Sequence, residues 1–197
     1  MELYIARHGE TKFNEEHRIQ GSGKDAPLTL KGIEQAKALG KSLEGISFDA
    51  VYSSPLKRAM DTVEIAFADR YKPIYDRRLV EVGLGVVEGM TFSEAVVFYP
   101  EYANLFDPIC YIPPPNGEAL TDMIMRVNAF MEDILKTNHQ KVFVLTHGYV
   151  LRVFYACTVD KSISTIGKAP YYRNCEVARY IYESKKWILL QDLGIIQ

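Results

Sequence analysis

The sequence predicts an α/β protein: a three-layer sandwich in which a mostly parallel central sheet is flanked by helices, with a lid segment and a C-terminal hairpin. Short apolar runs alternate with stretches of helical periodicity, as in parallel sheets covered on both faces. Two of these runs, 3–6 and 142–146, lead directly into His8 and His147. The carboxyl ends of parallel strands share one edge of a sheet, where ligand crevices form. We therefore expect both histidines in one site.

The first third of the chain predicts a strand, a loop, a helix, a second strand and a second helix. Residues 9–28 lack periodicity and predict a long, functional loop. Thr29 is typical of a helix N-cap, and Gly45 is predicted to end that helix. A strand is predicted over 48–52. The next helix is predicted to be capped by Ser53-Ser54-Pro55 and to present an inner face of Leu56, Ala59, Met60, Val63 and Phe67.

Between residues 78 and 119 the periodic pattern weakens. Glycines and the run PPPNG at 113–117 interrupt it, and only a short helix near 92–98 is predicted. We interpret residues 82–120 as a lid or cap within a single domain spanning 1–197.

The remainder of the chain returns to regular patterns. It predicts a helix, a strand, a helix and two β-rich runs joined by Glu183-Ser184-Lys185-Lys186, in the order 121–135, 142–146, 149–157, 177–182 and 187–190. The last two runs predict a hairpin at the sheet edge, which would offer an edge for a homodimer.

The composition is that of an ordinary globular protein, with 48% apolar and 24% charged residues in 197. A formal net charge of -2 argues against nucleic acid as a partner. No apolar run approaches the ~20 residues of a membrane helix, so no membrane partner is expected. The three cysteines have no metal-binding spacing and predict free thiols in a reducing cytoplasm. We expect neither a metal nor another cofactor.

The tripeptide Arg7-His8-Gly9 suggests phosphate chemistry. His8 follows a strand end, a rigid mount for a side chain that attacks phosphorus and forms a phosphohistidine. The guanidinium groups of Arg7 and Arg58 suit the phosphoryl oxygens, and the helix N-terminus before Arg58 could add amide donors.

A second histidine and a carboxyl group complete the predicted catalytic set. His147, followed by Gly148, is expected to bind a phosphoryl oxygen in its protonated form, whereas His8 must be neutral to attack. Glu81 is the predicted proton donor for the leaving alkoxide, because its apolar neighbours favour a raised pKa. Glu88 is the next candidate for that role.

Over most of its length the chain resembles the histidine phosphatase superfamily, the branch with cofactor-dependent phosphoglycerate mutases and small bacterial phosphatases. The shared motifs, in order, are Arg7-His8-Gly9-Glu10-Thr11 with Asn14, Gln20-Gly21, Pro27-Leu28-Thr29 with Gly32 and Gln35-Ala36, Ser53-Ser54-Pro55-Leu56 with Arg58-Ala59 and Thr62, Glu81 with Glu88-Gly89, Gly117-Glu118 with Arg126, and Thr146-His147-Gly148.

The resemblance implies the site. His8 corresponds to the phosphorylated nucleophile and Glu81 to the proton donor, while Arg7, Arg58 and His147 correspond to the phosphate pocket. By the same resemblance, Asn14 and Gln20 correspond to family positions that contact the phosphate or its transition state. Thr11 and Gly21 line the same loop. Two departures stand out, a longer stretch at 22–24 without the common aromatic residue, and Ala119 where many relatives have serine.

The sequence favours a phosphatase acting on small-molecule phosphate monoesters. Residues 82–120 contain no Lys, Arg or His but six Phe or Tyr, which favours apolar or aromatic leaving groups over a second anion. A cofactor-dependent phosphoglycerate mutase remains the alternative, with Lys12, Arg18 or Lys24 holding the second anion. A non-catalytic phosphate-binding module ranks last, because both His8 and Glu81 are present.

Overall fold

The computed structural model describes the backbone of residues 1–193 and the side chains of residues 1–190. Its six-stranded sheet has the order β3-β2-β4-β1-β5-β6. The strands are β1 (Glu2–Arg7), β2 (Ala50–Ser53), β3 (Ile74–Tyr75), β4 (Lys141–Thr146), β5 (Val177–Glu183) and β6 (Lys186–Leu193). Strands β1 to β4 are parallel, and the β5–β6 hairpin extends the sheet in antiparallel fashion beside β1. The predicted mixed α/β sandwich and edge hairpin are confirmed.

Helices cover both faces of this sheet. They are α1 (Lys12–Glu15), α2 (Leu30–Ser42), α3 (Lys57–Phe67), α4 (Phe92–Phe98), α5 (Leu120–Ile134), α6 (Gly148–Val159) and α7 (Ile163–Lys168). Alternate residues of β4 enter opposite cores, with Val142 and Val144 beside α5 and α6 and with Phe143 and Leu145 beside α2 and α3. The sheet is therefore buried on both faces along its central strands.

Several local predictions need correction. The 9–28 loop contains the one-turn helix α1, because Thr11 and Asn14 form a reciprocal cap at its start. Helix α3 begins at Lys57 with Leu56 at its N-cap and no side-chain cap, so the predicted serine cap is wrong. Its buried face also includes Arg58 and Thr62.

Two short elements escaped the sequence reading. Strand β3 has only two residues and α7 only six, too few for a periodic signal. By contrast, Thr29 caps α2 through the Gly32 amide as predicted. Within 82–120, α4 lies where predicted, and this segment packs through Ala95 and Leu105 onto the core shared with α5 and α6.

Candidate active site

The two histidines lie at one edge of the sheet, as predicted. Arg7 pairs with Thr146 in the parallel register of β1 and β4, so His8 and His147 leave adjacent strands at the same level. Their ring centroids are 5.2 Å apart, and both side chains are buried.

The hydrogen bonds of His8 fix its tautomer. Its Nδ1 lies 2.7 Å from the carbonyl oxygen of Gly9, which can only accept, so Nδ1 carries the proton. Nε2 therefore holds the lone pair and accepts from Nε of Arg58 at 3.3 Å. Burial lowers the pKa of His8 well below its ordinary value, and the charges of Arg58 and Arg7 lower it further. His8 is thus a neutral imidazole with its basic nitrogen beside a cation.

Arg58 is almost fully buried beneath this pocket. Its Nη1 is 2.8 Å from Oδ1 of Asp25, and Nη2 donates to the carbonyl oxygen of Gly21 at 2.9 Å. The backbone amide of Arg58 points to Asp25 at 3.3 Å, so this amide at the start of α3 is directed at a carboxylate within the protein. The Arg58 amide is therefore not free to donate to a phosphate, in contrast to the expectation that the start of α3 would provide such donors.

Arg7 offers donors that the protein leaves unpaired. Its Nη1 donates to the carbonyl oxygen of Tyr172 at 3.1 Å, while its buried Nε has no partner among the described residues. A buried N–H without a partner is costly, which favours an anionic ligand in contact with it.

His147 binds Ser54 on one side and has an open nitrogen on the other. Its Nε2 is 2.7 Å from Ser54 Oγ, and this hydroxyl also accepts from the Leu56 amide at 3.3 Å. Because a serine hydroxyl can both donate and accept, this contact is compatible with either neutral tautomer of His147. Nδ1 is buried and has no partner within the described residues.

The protonated His147 expected from the sequence is not what this site favours. Burial lowers its pKa well below the ordinary value, and Arg58 and His8 lower it further. These shifts favour the neutral form of both histidines, and in its Nδ1–H tautomer a neutral His147 can still donate to a ligand.

Glu81 enters the same pocket from the segment after α3. Its Oε1 accepts from the Val82 amide at 3.0 Å and its Oε2 from the Tyr149 amide at 3.2 Å. Burial raises the pKa of Glu81, although Arg58 and the two amides oppose this shift. The direction matches the sequence-based expectation for a proton donor.

The predicted loop residues divide into two groups. Asn14, Gln20 and Gly148 line the cavity together with Arg7, His8 and Glu81. Thr11 instead caps α1 and donates from Oγ1 to Oε1 of Gln20 at 2.9 Å. The carbonyl oxygen of Gly21 accepts from Arg58. Thr11 and Gly21 therefore position other residues of the site.

Glu88 serves a structural purpose. Its buried carboxylate accepts from the amides of Gly23, Lys24 and Leu84 at 2.6 to 2.9 Å, joining the 22–24 stretch to the segment after Glu81. It does not line the cavity, which leaves Glu81 as the carboxyl group there.

Sequence reasoning missed several residues that position the site. Asn174 donates to the carbonyl oxygen of His8 at 2.9 Å, and Thr62 accepts from the Gly9 amide at 3.0 Å. Asp25 and Ser54 hold Arg58 and His147. Ser54 and Thr62 belong to the quoted motifs, but nothing local to Asn174 signals a contact 166 positions away.

The cavity has a volume of about 240 Å³ and aromatic and cationic outer walls. Of the six aromatic residues in 82–120, only Phe106 lines it, while Tyr149, Tyr171 and Tyr172 come from elsewhere. Arg18 and Arg152 also line it. The sequence analysis considered Arg18 as a cation for a second anion, but it did not identify Arg152.

No group of three or more potential metal ligands occurs in the part of the chain that the structure describes. Within residues 1–193, no helix combines the length and apolarity that crossing a bilayer requires.

The fold and the two-histidine, two-arginine site define an α/β enzyme that handles phosphate esters, and comparisons with known proteins agree. A model of the histidine phosphatase superfamily (branch 1) matches residues 3–192. The chain belongs to this superfamily. The resemblance drawn from the motifs is therefore confirmed, as is the expectation of a phosphatase-type enzyme.

Named relatives include both activities considered above. Phosphoserine phosphatase 1 of Hydrogenobacter thermophilus is 32% identical over 83% of this chain and 79% of its own length. The "Probable phosphoglycerate mutase GpmB" of Proteus mirabilis is 31% identical over 95% and 88%. Among solved structures, Bacillus stearothermophilus YhfR matches with a TM-score of 0.90 and 34% identity, covering 100% of this chain and 99% of its own.

Proposed function

We propose that this protein is a metal-independent phosphatase that hydrolyses small-molecule phosphate monoesters through a phosphohistidine on His8. The observation that carries the proposal is the tautomer of His8, protonated at Nδ1 and with its Nε2 lone pair beside Arg58. A neutral, rigidly held imidazole is the form that attacks phosphorus.

The reaction has two displacements. In the first, Nε2 of His8 forms a bond to phosphorus while the ester P–O bond breaks, and the leaving oxygen takes a proton from Glu81. In the second, water attacks phosphorus and gives a proton to the Glu81 carboxylate. The P–N bond then breaks, and its electron pair returns to Nε2, releasing inorganic phosphate.

The remaining site residues bind the phosphoryl oxygens. Arg7, Arg58 and the Nδ1–H of His147 supply donors around a group whose charge changes during transfer, with Asn14, Gln20 and Gly148 beside it. Nε of Arg7 and Nδ1 of His147, both buried and without a partner among the described residues, support this assignment. Thr11 and Gly21 act by positioning Gln20 and Arg58.

The same features support proposals about the domain organisation, the compartment and the partners of the enzyme. Residues 82–120 act as a lid within a single domain, with Phe106 reaching the cavity. The free thiols Cys110, Cys157 and Cys175 suit a reducing cytoplasm, and no nucleic acid or membrane partner is proposed. Strand β6 is an outer strand of the described sheet and gives a homodimer an edge for pairing.

A phosphoglycerate mutase is the second candidate. It is favoured by Arg152, a cation in the cavity wall, and by the relative that bears that name. Lys12 and Lys24 no longer support it, because they bind Glu15 and the Glu88 carbonyl group. An isomerisation assay with the two phosphoglycerates, with and without the bisphosphate, distinguishes the candidates: efficient interconversion would favour the mutase.

Trapping the intermediate tests the main proposal. Enzyme quenched in alkali during turnover should carry an acid-labile phosphate that is absent from His8→Ala and present in His17→Ala, whose imidazole is exposed outside the cavity. Activity should also survive EDTA. Full activity of His8→Ala, or EDTA inhibition reversed by a divalent ion, would contradict the mechanism.

A further inference from the structure

Tyr149 places a buried phenol hydroxyl in the cavity wall, where no described residue pairs with it. The side chain is only 7% exposed, and its hydroxyl makes no hydrogen bond to any described residue. Burial raises the pKa of Tyr149 to about 12, so the group remains a phenol with a proton to donate. Leaving such a group unpaired is costly, which points to a ligand atom that accepts from it.

Arg152 lies one helical turn further along α6 and lines the same cavity. Its guanidinium carbon is 5.1 Å from the centre of the Tyr149 ring. Its Nε donates to the Ile166 carbonyl oxygen at 3.2 Å, but its two terminal nitrogens have no hydrogen bond or ion pair within the described residues. Four donor hydrogens therefore remain available beside the phenol.

The other cation of this outer wall is already engaged. Arg18 donates to Glu16, to Glu94 and to the carbonyl oxygen of Gly89. Of the two negative charges that act on Tyr149, Glu81 has the larger effect and belongs to the proposed catalytic set, whereas Asp107 is exposed and accepts from the Ile109 amide. The uncommitted positive charge of the outer wall thus belongs to Arg152.

We propose that Tyr149 and Arg152 bind a carboxylate carried by the alcohol half of the substrate. The proposal rests on the proposed phosphatase function and narrows its substrates to phosphate esters of short hydroxy acids. A planar guanidinium and a phenol can share the two oxygens of one carboxylate. It replaces the expectation of apolar leaving groups, which took no account of Arg152.

Two substrates that differ by one carboxylate test this subsite. O-phosphoserine and O-phosphoethanolamine share the phosphate, the ammonium group and a primary alcohol. We expect a higher kcat/KM for O-phosphoserine. In Tyr149→Phe and in Arg152→Gln, the ratio of the two kcat/KM values should fall by roughly ten- to a hundredfold, mainly through KM for O-phosphoserine, as expected for a lost hydrogen bond to a charged group.

Controls separate binding from folding. Arg18→Gln removes the engaged guanidinium of the same wall and should leave the ratio of the two kcat/KM values unchanged. Arg152→Lys keeps the positive charge and should recover part of the ratio that Arg152→Gln loses. Thermal unfolding checks each variant, because Arg152 also contacts α7 through Ile166. An unchanged ratio in Tyr149→Phe and Arg152→Gln, or no wild-type preference while both esters are hydrolysed, overturns this proposal alone. Absence of hydrolysis of any monoester would instead overturn the phosphatase function.

Discussion

Arg58 donates from Nε to Nε2 of His8 across 3.3 Å, within a pocket where both side chains are buried. The same cation has two effects. It helps to lower the pKa of His8, which favours the neutral imidazole, and we propose that it also binds the oxygens of the transferred phosphoryl group. Asp25 and Gly21 hold the guanidinium in this position.

Removal of Arg58 should therefore affect the chemical step strongly. We expect Arg58→Ala to lower kcat/KM by roughly two to three orders of magnitude, comparable to loss of an oxyanion donor. Arg70→Ala is the matched control, because Arg70 follows the other end of the same helix, where it donates to the carbonyl groups of Ala66 and Phe67 and lies over the Phe67 ring. Steady-state kinetics on both variants gives the comparison. A loss below about tenfold would place Arg58 outside the phosphate-binding set.

Replacement of Glu81 should depend on the leaving group. In Glu81→Gln, esters of ordinary alcohols should lose far more kcat/KM than 4-nitrophenyl phosphate, whose leaving group departs without a proton. Glu88→Gln is not a matched comparison, since Glu88 joins two loops through three amides. Equal losses for both substrates in Glu81→Gln would mean that another group protonates the leaving oxygen.

The pH profile should reflect two shifted groups. His8 must be deprotonated, so kcat/KM should rise with pH through a pKa below the ordinary histidine value. Glu81 must be protonated, so kcat/KM should fall as pH rises through a pKa above the ordinary glutamate value. The fall should be weaker for 4-nitrophenyl phosphate and should disappear in Glu81→Gln. An alkaline limb that persists in this variant would assign it to another group.

A close backbone contact supports the nucleophile loop. A Cβ atom at Gly32 would overlap the carbonyl oxygen of Glu10, and one at Gly9 would lie 2.6 Å from the carbonyl oxygen of Gly32. Gly32→Ala should lower the free energy of unfolding by about 1–3 kcal/mol and reduce activity. At Gly167, which lies in a helix, an added Cβ atom would have no neighbour within 4 Å. Gly167→Ala should therefore leave the free energy of unfolding unchanged or raise it by up to about 1 kcal/mol. Chemical denaturation measures both; equal effects would mean that the Gly32 contact relaxes freely.

Most of the fold was predictable because its signals are local. The apolar runs of β1 and β4 and the N-cap at Thr29 act through neighbours a few positions away. The elements missed, β3 and α7, are too short to show a period. The serine cap predicted for α3 failed because Ser54 is used to hold His147.

The sequence by itself determined the chemical class of this protein, since the order of its motifs identifies the family and the two strand-end histidines identify the sheet edge. Only the tertiary structure decided the tautomer of His8, the lowered pKa of both histidines, and the cation of the outer wall. Those properties depend on burial and on contacts across the chain, such as Asn174 with His8 and Ser54 with His147. Electrostatic free energies vary with distance and solvent exposure in three dimensions, and sequence separation fixes neither.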